Sequence, residues 1–215
     1  MIIINNPNNP TGIVYGRDTV KGIVELALDH DLIILSDEVY SELAPPGFES
    51  ILNYPECKSI YIQSFSKTYG MTGFRVGYAV SSPEIIRGMA RLQSLTVTSV
   101  PEFIQYAALE ALKCQEEAEK YRELTEKRIE VACKELDKLP VKYKRPEGAF
   151  YIFPRIEKEG FDSVPFAWKL LREKGVCVTP GTAFGKYPAH IRISIPLKEE
   201  TIKEGIKKIG ELLAG

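Results

Sequence analysis

The chain has 215 residues, enough for one large domain or two modest ones with an ample buried core. A hydrophobic share of 44% and a charged share of 27% are those of a soluble globular protein, and a net charge of −1 removes the electrostatic case for nucleic acid or an acidic membrane as partner. No apolar run has transmembrane length and no charged-then-apolar leader opens the sequence. Cys57, Cys114, Cys133 and Cys177 have neither metal-ligand nor redox spacing, so they are expected as reduced thiols in a cytoplasmic protein.

Ile2-Ile3-Ile4 directly follows Met1 and reads as a buried parallel strand, which needs neighbours on both sides. Asn5 to Gly12 is a loop of constrained backbone. It is either a rigid strand-to-helix turn or a ligand loop at the carboxyl end of a parallel strand. A helix is predicted over Asp18–His30, with Asp18 as cap and Val20, Ile23, Val24 and Ala27 as its apolar stripe. Leu32–Leu35 is the next buried strand. It runs into Ser36-Asp37-Glu38-Val39-Tyr40, where a carboxylate and a phenol three residues apart can face one cleft, or where Asp37 caps a helix. Ala44–Glu56 is proline- and glycine-rich loop.

Two further strands, Ser59–Gln63 and Phe74–Val80, flank Ser64-Phe65-Ser66-Lys67-Thr68-Tyr69-Gly70 and Arg75. A lysine at a strand end can be partly desolvated, which lowers its pKa and makes the amine nucleophilic. Nearby serines and an arginine can hold a phosphate. An aldehyde that also carries a phosphate suits this set, and pyridoxal phosphate is that cofactor. The alternative is a surface loop with a solvated lysine.

Beyond Ser82-Pro83 a helix is predicted over Glu84–Leu95. Pro101 opens a helical region reaching Leu139, with a break around Cys114–Ala118 and a solvated charged middle. Short strands follow at Val141–Tyr143 and Ala149–Phe153, then a helix over Val164–Lys174, a strand over Val176–Thr179 and a turn-rich loop from Pro180. In His190–Ile195, alternation puts Ile191, Ile193 and Ile195 on one face and Arg192 and Ser194 on the other. Arg192 is either in water on a half-exposed sheet or buried opposite an anion. An amphipathic helix over Lys198–Leu213 closes the chain. His30 and His190 have no ligand-like company.

Four segments, taken together and in order, resemble the pyridoxal-phosphate-dependent class I/II aminotransferases of fold type I: Asn-Pro-x-Asn-Pro-Thr-Gly at Asn6–Gly12, Asp37–Tyr40, Ser64–Arg75, and Arg192 within Arg-x-Ser. The resemblance implies an α/β fold with a partial, mostly parallel large-domain sheet over 1–100, a connecting helical region over 101–140 and a small α+β domain over 141–215. Phe74–Val80 would be the antiparallel strand of that sheet. It implies that Lys67 forms the Schiff base and moves the substrate's Cα proton, that Asp37 pairs with the pyridinium nitrogen and that Tyr40 and Asn9 bond the phenolic oxygen. Ser64, Ser66 and Arg75 would hold the phosphate, and Arg192, with Asn9 beside it, would bind the substrate's α-carboxylate. The Asn9–Pro10 bond is expected to be cis. The reaction would exchange an amino group between an amino acid and a 2-oxo acid, in a homodimer. A C–S lyase relative uses the same residues.

Members of the family are about twice this length. The chain therefore resembles their C-terminal part and lacks the half that supplies a glycine-rich phosphate turn and the aromatic ring stacked on the cofactor. Two readings follow from this. One is an aminotransferase truncated and inactive alone. The other is a non-catalytic fragment that binds a partner or its missing N-terminal half. On either reading the partial sheet has two open edges, which invite pairing or leave the chain marginally stable.

Overall fold

The computed structural model describes residues 1–215. The chain divides into two compact units, Met1–Pro7 with Val14–Arg122, and Asn8–Ile13 with Glu123–Gly215.

The first unit begins with β1 (Ile2–Asn5), α1 (Arg17–Asp29) and β2 (Ile34–Asp37), followed by β3 (Ser59–Ser64), α2 (Phe65–Thr68) and β4 (Gly77–Val80). The sheet order is β1-β2-β3-β4, with the first three strands parallel and β4 antiparallel to β3. This is the mixed, mostly parallel partial sheet expected from the sequence. Val20, Val24 and Ala27, spaced for one helix face, are buried, and Val24 and Ala27 pack α1 against Ile4, Ile34 and Tyr61. Gly16, not Asp18, occupies the N-cap, in an extended conformation without a side-chain cap. Asp18 lies in the first turn, where the helix dipole favours its charge.

Three strands differ from expectation. The strand β2 runs over Ile34–Asp37 rather than Leu32–Leu35, so Ser36 and Asp37 are its last residues. Within β1, Ile4 is buried with the α1 side of the sheet but Ile3, pointing to the opposite face, is 66% exposed. The strand β4 starts three residues later than Phe74. A 3-10 turn over Thr72–Phe74 intervenes, and Arg75 closes it with a left-handed φ of 53°. At Gly77 a Cβ would stand 2.6 Å from the Gln63 carbonyl oxygen, so only glycine lets the two strands approach there.

The helix α3 (Pro83–Thr96) is capped by the Ser82 hydroxyl, which accepts from the Ile85 N–H, and none of its residues is buried. A second helix, α4 (Glu102–Ala111), adds Ala108 to a cluster with Phe65, Met71 and Val76. The helical region does break, but at residues 112–114 rather than over Cys114–Ala118, since the next helix already starts at Gln115. This helix, α5 (Gln115–Leu136), crosses from the first unit to the second between Arg122 and Glu123.

The second unit continues with β5 (Val141–Lys142), β6 (Tyr151–Ile152), β7 (Arg155–Ile156), α6 (Ser163–Lys174), β8 (Thr179–Pro180), β9 (Ile191–Ser194) and α7 (Glu199–Ala214). β5 pairs with β7, and β9 lies between β6 and β8, all antiparallel. The core includes Ile129, Ala132 and Leu136 of α5, Leu170 of α6 and the Ile202, Ile206 and Ile209 stripe of α7. The strands are shorter than the alternation suggests. Val176 donates its N–H back to Leu170 to close α6 behind Gly175, so pairing of that segment starts only at Thr179. Ala149, at φ 56°, breaks the extended run before β6.

The segment Asn8–Ile13 packs with this second unit. Both Glu147 and Gly148 donate their N–H groups to the Gly12 carbonyl, at 2.8 and 2.9 Å, and Gly12 N–H donates to the Asn8 carbonyl at 2.7 Å. Asn9–Pro10 is cis as expected, and Asn6–Pro7, for which no expectation was set, is cis as well. Gly12 has φ 69°, and a Cβ there would meet the Pro146 side chain and stand 2.7 Å from the Tyr151 carbonyl oxygen. We expect Gly12→Ala to lower stability in urea denaturation by at least about 2 kcal/mol, from left-handed strain plus overlap. An unchanged midpoint would show that this loop is not fixed against the turn at Pro146–Gly148.

Candidate active site

The candidate residues of the first unit leave the carboxyl ends of neighbouring parallel strands. Asp37 ends β2, opposite Asn5 of β1 in register, and the Asn5 side-chain amide donates to the Asp37 carbonyl at 3.2 Å. The Asp37 carboxylate is half-buried and accepts one weak bond, from the Val39 N–H at 3.4 Å, with no cation paired to it. Burial holds this carboxyl above its ordinary range, and the Val39 N–H opposes that only in part. The next residue, Glu38, is 1% exposed. Its Oε1 accepts from the Ser36 hydroxyl at 2.8 Å and the Ile51 N–H at 2.9 Å, which ties the loop before Ile51 to the end of β2. Burial also raises the Glu38 carboxyl. Tyr40 is buried at the start of a 3-10 turn over Ser41–Leu43.

At the end of β3, Ser64 caps α2, its hydroxyl accepting from the Ser66 N–H at 3.1 Å. Lys67 is the third residue of α2 and is half-buried. The Arg75 guanidinium is exposed and donates to the Thr72 carbonyl at 2.9 Å. Ser64, Ser66 and Arg75 line one cavity of about 640 Å³ whose walls carry no carboxylate. Lys67, Asp37 and Tyr40 are not among its lining residues.

In the second unit, Arg192 of β9 and Asn9 come together although 183 positions separate them. Arg192 Nη1 donates to Asn9 Oδ1 at 3.0 Å, and Nη2 donates to Thr179 Oγ1 at 3.2 Å. The guanidinium carbon lies 4.5 Å from the centre of the Tyr151 ring and 4.9 Å from that of Phe184. Arg192 Nε is buried without a hydrogen-bond partner. The group is thus half-buried, meets only neutral oxygens and aromatic faces, and has no carboxylate. A guanidinium so placed keeps a strong preference for an anion.

Sequence reasoning did not anticipate Thr179, Tyr151, Phe184 or Glu38 in these roles. Glu38 had a usable signal, since it shares the inward side of β2 and its extension with Ser36. The three neighbours of Arg192 had none, because strand pairing and a loop bring them in from separate segments.

The sequence matches the family described as aminotransferase class I and II over residues 1–209. It is 38% identical to an aspartate aminotransferase of Pyrococcus horikoshii, covering 100% of this chain and 57% of that protein. It is 40% identical to an asparagine–oxo-acid transaminase of Streptococcus mutans, covering 97% of this chain and 56% of that protein. Its fold is similar to the crystal structure of an aspartate aminotransferase from Thermotoga maritima, with a TM-score of 0.92 at 38% identity over 99% of this chain and 56% of that one. The chain spans a little over half the length of the relatives it matches.

The unpaired Asp37 carboxylate has a stability consequence. Its folded pKa is raised above the unfolded value, so its contribution to folding is most favourable below the unfolded pKa and is lost as pH rises through the folded pKa. Asp37→Asn, neutral at every pH, is expected to be more resistant to urea than the parent at pH 7 and to match it near pH 3.5. Equal or lower resistance of the variant at pH 7 would mean that a cation already balances Asp37.

Proposed function

Because the chain belongs to the class I and II aminotransferases, we propose that its residues form part of a site that binds pyridoxal 5′-phosphate and transfers an amino group between an amino acid and a 2-oxo acid. The observation that carries this reading is Arg192, a half-buried guanidinium held by neutral partners and lacking a carboxylate. Both substrates of such a transfer carry an α-carboxylate, and a planar fork receives it with two parallel hydrogen bonds. The rings of Tyr151 and Phe184, with Thr179 and Asn9, fix the plane of that fork and hence the direction from which a substrate is held.

The residues of the first unit fit the cofactor. Two hydroxyls and a guanidinium around one cavity, Ser64, Ser66 and Arg75, suit a phosphate. Asp37, a carboxylate raised by burial and lacking a cation, suits a basic ring nitrogen and would keep it protonated. Asn9 and Tyr40 are assigned to the phenolic oxygen. When bound, the cofactor supplies a conjugated ring that accepts the electron pair left as the substrate's Cα–H bond breaks. Lys67 Nζ is the group assigned to bond the aldehyde carbon and later to carry the Cα proton. We place the enzyme in the cytoplasm as a homodimer. No helix is long and apolar enough to cross a membrane. The exposed side chains of Leu92, Leu95, Phe103 and Tyr106 on α3 and α4 support the burial of that surface against further protein.

We expect incubation with pyridoxal phosphate, borohydride reduction and peptide mass analysis to place the adduct on Lys67 well ahead of the other lysines, and to lose that adduct in Lys67→Ala. Modification spread evenly over the surface lysines would overturn the assignment of Lys67.

A further inference from the structure

The second unit contains a cavity of about 720 Å³ of whose lining the proposed reaction uses only Asn9 and Phe184. One wall is built of packed rings. Phe153 stacks on His190 with centroids 4.9 Å apart and an interplanar angle of 20°, and it meets the edges of Phe184 and Tyr187, each at 5.8 Å. The loop carrying Asn8, Asn9 and Pro10 lines it as well. Arg192 is not among the lining residues, although Asn9 and Phe184, which touch it, are. The cavity therefore adjoins the guanidinium assigned to the α-carboxylate through those two residues, while Arg192 itself does not line it.

The charge around it is one-sided. Lys142, Lys144 and Arg155 line the cavity and no carboxylate does. Lys142 is paired with Glu157 at 2.7 Å and Lys144 with Glu147 at 3.8 Å. Arg155 has no carboxylate within ion-pair distance, and its charge is felt by His190, whose pKa burial and Arg155 together push down. His190 is thereby kept neutral, so its ring belongs to the apolar wall. Arg155 is left as the unbalanced charge. It is fixed at its base by β7, where it pairs with Lys142 in register and bridges to His190.

A ring wall of this kind favours a flat, apolar body, because aromatic pairs gain from stacking and edge contacts beyond area burial alone. An unpaired guanidinium at the rim favours a carboxylate. We propose that this cavity is a second ligand site, for a small aromatic carboxylate whose ring lies against Phe153 and Tyr187 and whose carboxylate is taken by Arg155. The site shares Asn9, the Nη1 partner of Arg192, and the Phe184 ring with the assigned substrate group, and its remaining residues have no assigned role in the transfer.

The test is ligand-observed fluorine NMR on the full 215-residue chain with 4-fluorophenylacetate as probe. Two comparators are 4-fluorobenzyl alcohol, which has the ring without the charge, and cyclohexylacetate, which has the charge without the ring and is read by displacement of the probe. Saturable binding of the probe is expected, with each comparator weaker by about tenfold, the scale of one charged hydrogen bond or one ring contact. Arg155→Gln is expected to weaken the probe by about tenfold. Arg155 is exposed and its β7 pairing is through the backbone, so the variant keeps its fold, which circular dichroism checks. Tyr187→Leu, at a 47% exposed ring, provides a second variant and is expected to weaken the probe severalfold. Arg192→Lys, which disturbs only two lining residues, should weaken the probe much less than Arg155→Gln does. No saturable binding, or equal binding of the comparators, would overturn the proposal. Loss in Arg192→Lys with retention in Arg155→Gln would also overturn it, and would place the probe at the α-carboxylate group instead.

Discussion

Parallel pairing of β1, β2 and β3 is the constraint on which the first unit depends. In a parallel ladder all strands end on the same side, and the register fixes how far each reaches. Asn5 stands opposite Asp37, and Asp37 opposite Ile62, so β1 and β2 end level and β3 runs two residues further, to Ser64. Every candidate residue of this unit is released just beyond one of those ends, except Arg75, which returns towards β4. Glu38 secures the arrangement from beneath. Its buried carboxylate binds both the strand that presents Asp37 and the backbone at Ile51, so the loop between them cannot move freely of the strand.

The electrostatic pattern of the candidate site is one of charges left incompletely answered. A half-buried carboxylate with a single long N–H contact and a half-buried guanidinium with neutral acceptors both cost folding free energy that an opposite charge would recover. Surface pairs elsewhere, such as Lys58 with Asp31 at 2.6 Å, are satisfied by their neighbours and exposed, so they contribute little. The contrast separates exposed pairs answered by their neighbours from half-buried charges with no opposite charge beside them. Arg75 stands out in another way, by backbone strain: its positive φ is unusual for a side chain with a Cβ.

Much of this was legible in the sequence because local patterns and fold agree. The α1 stripe, the α6 end at Gly175, the amphipathic α7 and the four strands of the partial sheet follow from period and turn chemistry. Ser64, Ser66 and Arg75, grouped from the sequence as a phosphate-holding set, line one cavity. What was not legible depends on long-range placement. Nothing near Arg192 in sequence announces that Thr179 will accept its Nη2, or that Tyr151 and Phe184 will enclose it, because β6 and β8 flank β9 only in the assembled sheet. The late start of β4 was hidden for a related reason. Phe74 and Val76 read as strand, yet Gly70 and Gly73 admit a turn whose geometry is settled by Gly77 fitting against Gln63.

The path of the chain through the two units carries a consequence for how the molecule is made. Residues 8–13 complete a unit whose remaining parts begin at Glu123, and the bond between Asn9 and Arg192 closes a loop of 183 residues. Asn9 leaves the ribosome 183 residues ahead of Arg192. In that interval the Asn9 loop can only wait, while β1, β2 and β3 on either side of it pair over much shorter spans. Closure entropy grows slowly with loop length, so the finished bond is little weakened by the distance. The cost falls on time: non-local contacts form late, and the second unit stays unfinished until Arg192 has been made.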